Sequence, residues 1–206
     1  KVDVVIVAVP AAVVSQVVRD CARRGVRNVA IISSGFSEAG QLGQQRLAET
    51  LAIARKRGIR ILGPNTTGIL NPKYRFTTTF APLDAEIKPG TVAFIAQTGM
   101  FAGLMLYHLI TAQHFGISKV AGLGNKSDVD EADILEYLYH DEDTRAVMIY
   151  MEGLKDGRRF LAVARRFTRA KPLVVVKGGR TPAGASAALA HTGSLAGQYR
   201  LTQTLF

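Results

Sequence analysis

The sequence predicts an α/β protein assembled around parallel sheets, and three observations predict it. Short β-branched runs recur along almost the whole chain, helical patterns separate them, and one stretch, 74–90, has neither period. Strands are expected at 2–9 ("VDVVIVAV"), 28–33 ("NVAIIS"), 60–63 ("RILG"), 91–96 ("TVAFIA"), 119–124 ("KVAGLG"), 146–151 ("AVMIYM") and 172–177 ("PLVVVK"). Helices are expected between them, at about 11–24, 41–57, 100–114, 130–140 and 158–170. Helix ends are marked by "RDCARRG", "ARKRG" and "RRFTRAK", where Lys and Arg complement the negative end of the helix dipole. The aperiodic stretch "YRFTTTFAPLDAEIKPG" carries two prolines and reads as an interdomain connection. It places a boundary near residue 85, dividing the chain into 1–85 and 86–206.

Both ends look cut. The first part opens directly on a buried-type strand, and its first 60 residues hold no G-x-G-x-x-G, so a sheet begun this way lacks its usual first βαβ unit. The chain stops at "QYRLTQTLF", inside a helical pattern, which reads as a piece of a longer polypeptide.

Composition excludes several classes. With 48% hydrophobic and 20% charged residues in 206, the chain is neither disordered nor fibrous, and can fill one or two domains. No apolar run reaches the length of about 18 that a membrane helix needs; "VVIVAVPAAVV" is broken by Pro10 and lacks a signal-peptide cleavage pattern. A cytoplasmic location follows as the expectation. The lone Cys21 excludes an internal disulfide and reads as a buried thiol. A net charge of +10 raises the question of nucleic acid, but the basic residues sit in helix ends, and neither zinc-finger spacing nor ribonucleoprotein aromatics occur. Neither nucleic acid nor a membrane is expected as a partner.

Five stretches could carry chemistry. In "AFIAQTGMFAGLM" a strand runs through Gln97-Thr98-Gly99 into a helix, which aims free N–H groups outward as an anion site; ordinary β/α turns use the same residues. "VVVKGGRTPAGASAALAHTG" has the G-x-x-x-x-G spacing of a P-loop, but Ala185 stands where the lysine must be. "GNKSDVDEADILEYLYHD" is acidic without the glycine a calcium loop needs, and Asp128 with Glu131 fits a capping box. Glu152 directly follows a strand in "YMEGLKDG"; a solvated carboxylate is the default for such a position. In "ALAHTGSLAG", His191 sits among small residues that leave its ring open to close approach. His108, His114 and His140 fall in helices or at their ends without ligand-spaced partners, so no metal site is expected.

The segments "VPAAVV", "SSGFSEAG", "ILGPNTTGILNP", "GTVAFIAQTG", "GLGNKSDVDEADILEYL", "YMEGL", "KPLVVVKGGRT" and "AHTGSLAG", in this order, resemble the NDP-forming acyl-CoA synthetases, the superfamily of succinyl-CoA synthetase α subunits and ADP-forming acetate–CoA ligases. The resemblance covers essentially the whole chain. It implies that 1–85 is the later part of a Rossmann-like CoA-binding domain and that 86–206 is a flavodoxin-like, succinyl-CoA ligase-like domain. It matches Val9, Pro10, Ser33, Ser34, Gly35, Pro64, Asn65 and Thr66 to segments lining the CoA site. His191 matches the transiently phosphorylated histidine and Glu152 its carboxylate partner. Gln97, Thr98, Gly99, Thr192 and Gly193 are the phosphate-binding positions that follow.

The implied reaction interconverts carboxylic acid, CoA and ATP with acyl-CoA, ADP and phosphate, through an acyl phosphate and a phosphohistidine. A neutral imidazole suits that relay, because it is nucleophilic near neutral pH and becomes a good leaving group after transfer. The chain departs from the family pattern at two places: Ala96-Gln97-Thr98-Gly99 replaces a Ser-Gln-Ser-Gly or Ser-Arg-Ser-Gly turn, and Ala190 replaces a serine before the histidine. The resemblance also implies an ATP-grasp partner, as a β subunit or a fused domain, which brings nucleotide and Mg²⁺, and an oligomeric assembly. Two other readings compete. A catalytically silent CoA-sensing domain of a protein lysine acetyltransferase has the same architecture, though retention of His191 favours catalysis. A nicotinamide-dependent dehydrogenase needs the missing G-x-G-x-x-G.

Overall fold

The computed structural model describes residues 1–79, 87–99, 108, 115–179 and 181. Two sheets organise them. The first is a parallel sheet in the order β1-β2-β3, from Val5–Val7, Asn28–Ile31 and Arg60–Leu62. Its strands are joined by α1 (Ala11–Arg23) and α2 (Gly40–Arg57), which pack together. Val14, Val18 and Cys21 recur at helical spacing along α1 and face Val7, Val29, Ile31 and Ile61. Cys21 is therefore a buried thiol, and burial pushes its ionisation up. Helix α2 ends in Arg55, Lys56 and Arg57, followed by Gly58 in the left-handed conformation, as its basic sequence pattern predicts.

The second sheet has six strands in the order β5-β4-β7-β6-β8-β9. Strands β6 (Pro89–Ala96), β7 (Ile117–Gly122), β8 (Ala146–Met151) and β9 (Leu173–Lys177) are parallel. Helices α3 (Glu131–His140) and α4 (Gly157–Phe167) cover one face, burying Leu135, Leu138, Phe160 and Phe167 against Ala93, Ile95, Val147 and Ile149. The other face buries Leu70, Phe94, Ile117 and Val120. The helix expected at 100–114 lies outside the described residues, apart from His108, which is helical, and Gly99 just before it is helical too.

Two short strands were not expected. β4 (Ile69–Asn71) pairs antiparallel with β7, and β5 (Phe76–Thr77) pairs antiparallel with β4. At three and two residues they are too short to show a period, so β4 is revealed by its long-range partner β7 and β5 by its pairing with β4. Sheet membership thus changes between β3 and β4, ahead of the connection expected near residue 85.

The capping box of α3 also differs from expectation. Asp130, not Asp128, is the N-cap: its side chain accepts from the N–H groups of Ala132 and Asp133, and Asp133 reciprocates on the Asp130 N–H. The spacing of the box is unchanged; it is shifted by two residues because the backbone around 128 is committed elsewhere. Residues 125–129 run along the free edge of β3. Asn125, Ser127 and Val129 donate their N–H groups to the carbonyls of Pro64, Gly63 and Ile61 at 2.9, 3.1 and 3.1 Å. The Asp128 carboxylate accepts from the Ile61 N–H at 2.7 Å and from Arg60 at 3.2 Å. The loop after β7 is therefore a surrogate fourth strand that ties the second sheet to the first.

Gly124 makes that seam possible. It has φ +58°, and a Cβ there would lie 2.3 Å from the Pro64 carbonyl oxygen. Gly124→Ala is expected to cost about 2–5 kcal/mol, from left-handed strain plus displacement of packed backbone. Denaturant titration checks this; an unchanged midpoint would mean the seam is not tight.

Candidate functional site

Parallel α/β sheets place ligands at the carboxyl ends of strands where the chain order reverses direction. In the second sheet that point is between β6 and β8, since the chain leaves β6 for β7 on one side and returns to β8 on the other. Gln97 directly follows β6 and Glu152 directly follows β8, so the switch point brings together two of the predicted residues.

Glu152 is 5% exposed. Its Oε1 lies 3.5 Å from the Tyr150 hydroxyl, and its Oε2 is buried without a hydrogen-bond partner among the described residues. The expected default of a solvated strand-end carboxylate is thereby excluded: burial of an anion with one oxygen unpartnered is costly and marks a site that receives a donor. Burial, and then the adjacent Glu152 charge and hydrogen bond, raise the Tyr150 ionisation above its usual range. Gly178 closes over the pair, since a Cβ there would lie 2.5 Å from the Tyr150 hydroxyl.

Gln97 is buried, and its carbonyl oxygen accepts from the N–H groups of Glu152 and Gly153 at 2.8 and 3.2 Å. That oxygen is thus committed to the protein, leaving the amide nitrogen as the group Gln97 can offer a ligand. Thr98 is 9% exposed, and Gly99 abuts Thr67. His191, Thr192 and Gly193 lie outside the described residues, as does His114.

Sequence reasoning passed over the lysines. Lys126, buried at φ +50°, places its ammonium 3.3 Å from Glu131 and 2.6 Å from the Gly153 carbonyl. Burial raises Glu131 above the usual carboxylate range against the opposing Lys126 charge. Glu131 is thus the counter-ion of a buried pair rather than a cap. Lys177 ends β9 and donates to the Glu152 carbonyl at 2.6 Å. The acidic richness of "GNKSDVDEAD" drew attention from its one cation, although a charged residue just past a parallel strand was the available signal. Beside this cluster a cavity of about 410 Å³ is lined by Arg55, Gln97, Asn125, Lys126, Gly153 and Lys155. Among the described residues no group of three or more His, Cys, Asp and Glu is placed to hold a metal ion, and no helix is long and apolar enough to cross a membrane.

The other predicted residues gather at the carboxyl ends of β1, β2 and β3. Ser33 donates its hydroxyl to the Val9 carbonyl at 2.5 Å, and the Asn65 N–H donates to the Ser33 carbonyl at 3.0 Å, so the three loops are stitched together. Pro10 begins α1 without a side-chain cap and with no acid in the first turn, an arrangement suited to a phosphate-bearing ligand. Thr66 points inward instead: it is 1% exposed, donates to the Gly122 carbonyl and accepts from the Gly68 N–H. Gly35 donates its N–H to Glu38, which also accepts from Phe36 and Asn125. Burial alone would raise Glu38, but these hydrogen bonds, its own backbone N–H among them, hold it below the usual range.

Two family models match the chain. One, described as a succinyl-CoA ligase-like flavodoxin domain, matches residues 89–206. The other, a CoA-binding domain, matches residues 1–72. The chain is 47% identical over 199 residues to acetate–CoA ligase (ADP-forming) II of Archaeoglobus fulgidus, covering 96% of this chain and 29% of that protein. It is 45% identical over 206 residues to the α subunit of acetate–CoA ligase (ADP-forming) I of Pyrococcus furiosus, covering 100% of this chain and 44% of the subunit. A solved acetyl-coenzyme A synthetase 1 of Candidatus Korarchaeum cryptofilum, in complex with phosphate and ADP, superposes with a TM-score of 0.93 at 39% identity, covering 100% of this chain and 44% of that one. The chain thus spans less than half the length of these relatives. All three are ligases or synthetases, which leaves the acetyltransferase-linked reading without support.

Proposed function

The chain belongs to the family of succinyl-CoA ligase-like flavodoxin domains, and from that premise we propose that it is the α portion of an ADP-forming acyl-CoA synthetase. The carrying observation is Glu152, a buried carboxylate at the switch point with Oε2 open to a donor. An imidazole N–H is the donor this reading supplies, from His191. The loops after β1, β2 and β3 hold CoA, with Val9, Pro10, Ser33, Ser34, Gly35, Pro64 and Asn65 on the ligand side and Thr66 supporting them from behind.

Phosphate attacks the acyl-CoA carbonyl, the C–S bond breaks, CoA leaves as thiolate, and an acyl phosphate remains. The free imidazole nitrogen of His191 then attacks phosphorus. The P–O bond to the acyl group breaks and the carboxylate departs. Glu152 accepts the N–H on the other side of the ring, which fixes the tautomer and offsets the positive charge on the phosphorylated imidazole. Transfer to ADP completes the cycle on an ATP-grasp portion. Mg²⁺ brought there with the nucleotide would neutralise phosphate charge. The Gln97 N–H is taken by the Tyr150 carbonyl at 3.1 Å, so the N–H groups that this reading offers to the phosphate in transit are those of Thr98 and Gly99. The same reading places the protein in the cytoplasm, as an oligomer with its ATP-grasp partner.

The test uses the full-length enzyme with that partner, Mg²⁺ and γ-labelled ATP. Label is expected on His191, acid-labile and base-stable, discharged by a carboxylic acid plus CoA. An enzyme that turns over without ever carrying label on His191 sinks the relay.

A further inference from the structure

Strand β8 ends at Met151, so the next two peptides have no strand neighbour to satisfy them. Their four polar groups are nevertheless all taken, by three side chains from three other strand ends. Gln97 accepts from both N–H groups, at 2.8 and 3.2 Å. Lys177 donates to the Glu152 carbonyl and Lys126 to the Gly153 carbonyl, each at 2.6 Å. We propose that Lys126 and Lys177 are positioning residues that, with Gln97, clamp the Glu152–Gly153 backbone and so fix the Glu152 carboxylate at the end of the sheet for its part in the phosphoryl relay. The inference rests on the proposed function, because it gives the clamp its purpose.

Two features favour a positioning device over ordinary packing. A satisfied turn needs neutral partners, whereas here two ammonium groups are desolvated to hold two adjacent carbonyls, a costly choice unless location matters. Lys177 also lies in the field of the carboxylate it holds: burial lowers its ionisation, the Glu152 charge opposes that shift, and the Lys126 charge adds to it. Positioning is worth much in phosphoryl transfer, where a displacement of about 1 Å can cost roughly 10²-fold in rate.

Lys177 is the cleaner probe, being only half-buried and outside any ion pair among the described residues. In the full-length enzyme, Lys177→Met is expected to slow phosphorylation of His191 by about 10- to 100-fold in single turnover. KM for CoA should stay as in the wild type, the unfolding midpoint should fall only by what one lost hydrogen bond to the Glu152 carbonyl explains, and Lys177→Arg, which keeps charge and donors, should recover most of both losses. The Lys126→Met/Glu131→Gln double variant removes the second arm without stranding a buried charge and should show the same split. Wild-type phosphorylation in Lys177→Met overturns the proposal. So does a loss of stability and rate together that Lys177→Arg does not repair, which is the pattern of a structural role. A wild-type enzyme whose His191 never takes label would instead refute the relay itself, and the clamp's purpose with it.

Discussion

Glu152→Gln is expected to lower turnover by about 10²- to 10⁴-fold while leaving the protein at least as stable as the wild type. The substitution keeps the side-chain volume and does not touch the backbone groups held by Gln97, Lys126 and Lys177. It removes a buried carboxylate whose Oε2 has no hydrogen-bond partner among the described residues and keeps an oxygen for the Tyr150 hydroxyl, so folding is relieved of a desolvated charge and loses only its attraction to Lys177. On the proposed relay, catalysis loses the acceptor that selects the histidine tautomer and offsets its charge. A neutral amide can also present its NH₂ to the ring, which favours the wrong tautomer. Steady-state rates beside a thermal melt check the pair of outcomes. A variant that unfolds early, or one that turns over normally, would place Glu152 in the structure rather than in the chemistry.

His191→Ala has the larger effect and a more selective one. Formation of ATP from acyl-CoA, phosphate and ADP is expected to fall by at least about 10⁴-fold, because alanine offers no lone pair to receive the phosphoryl group. Phosphate-dependent loss of the thioester should survive, since that step breaks a C–S bond before the histidine acts. Assaying thiol release and nucleotide formation separately distinguishes the two. Loss of both would mean that His191 also organises the acyl-phosphate step; retention of both would remove it from the mechanism.

Much of the fold and part of the site were legible along the chain. The strands and helices around α1, α2, β6, β8 and α4 declare themselves by β-branched runs, 3.6-residue periods and basic helix ends. Glu152 and Gln97 were legible as residues that directly follow strands. Their contact with each other was not, because it links positions that meet only when β6 and β8 pair. The same cause hid the contacts of Lys177 and Lys126: a lysine after a strand looks solvated until the neighbouring strand ends converge on it. The capping box was read with the correct spacing but in the wrong place. Asp128 has equal local credentials to Asp130, and the choice is made by Ile61, far away in sequence, whose N–H takes the Asp128 carboxylate.

The amino-acid sequence by itself determined the order and kind of the main elements, the helix ends and the set of motifs that mark the family, because these depend on local periodicity, capping chemistry and residue type. Tertiary structure alone decided that β4 and β5 join the second sheet, that residues 125–129 seal the edge of β3, and that one glutamine and two lysines hold the peptide of Glu152. Apart from the short β4–β5 pairing, each of these rests on hydrogen bonds between backbone or side-chain groups far apart along the chain. Such bonds leave no local period to read, since their partners are chosen by which strand ends the packed sheets bring within about 3 Å.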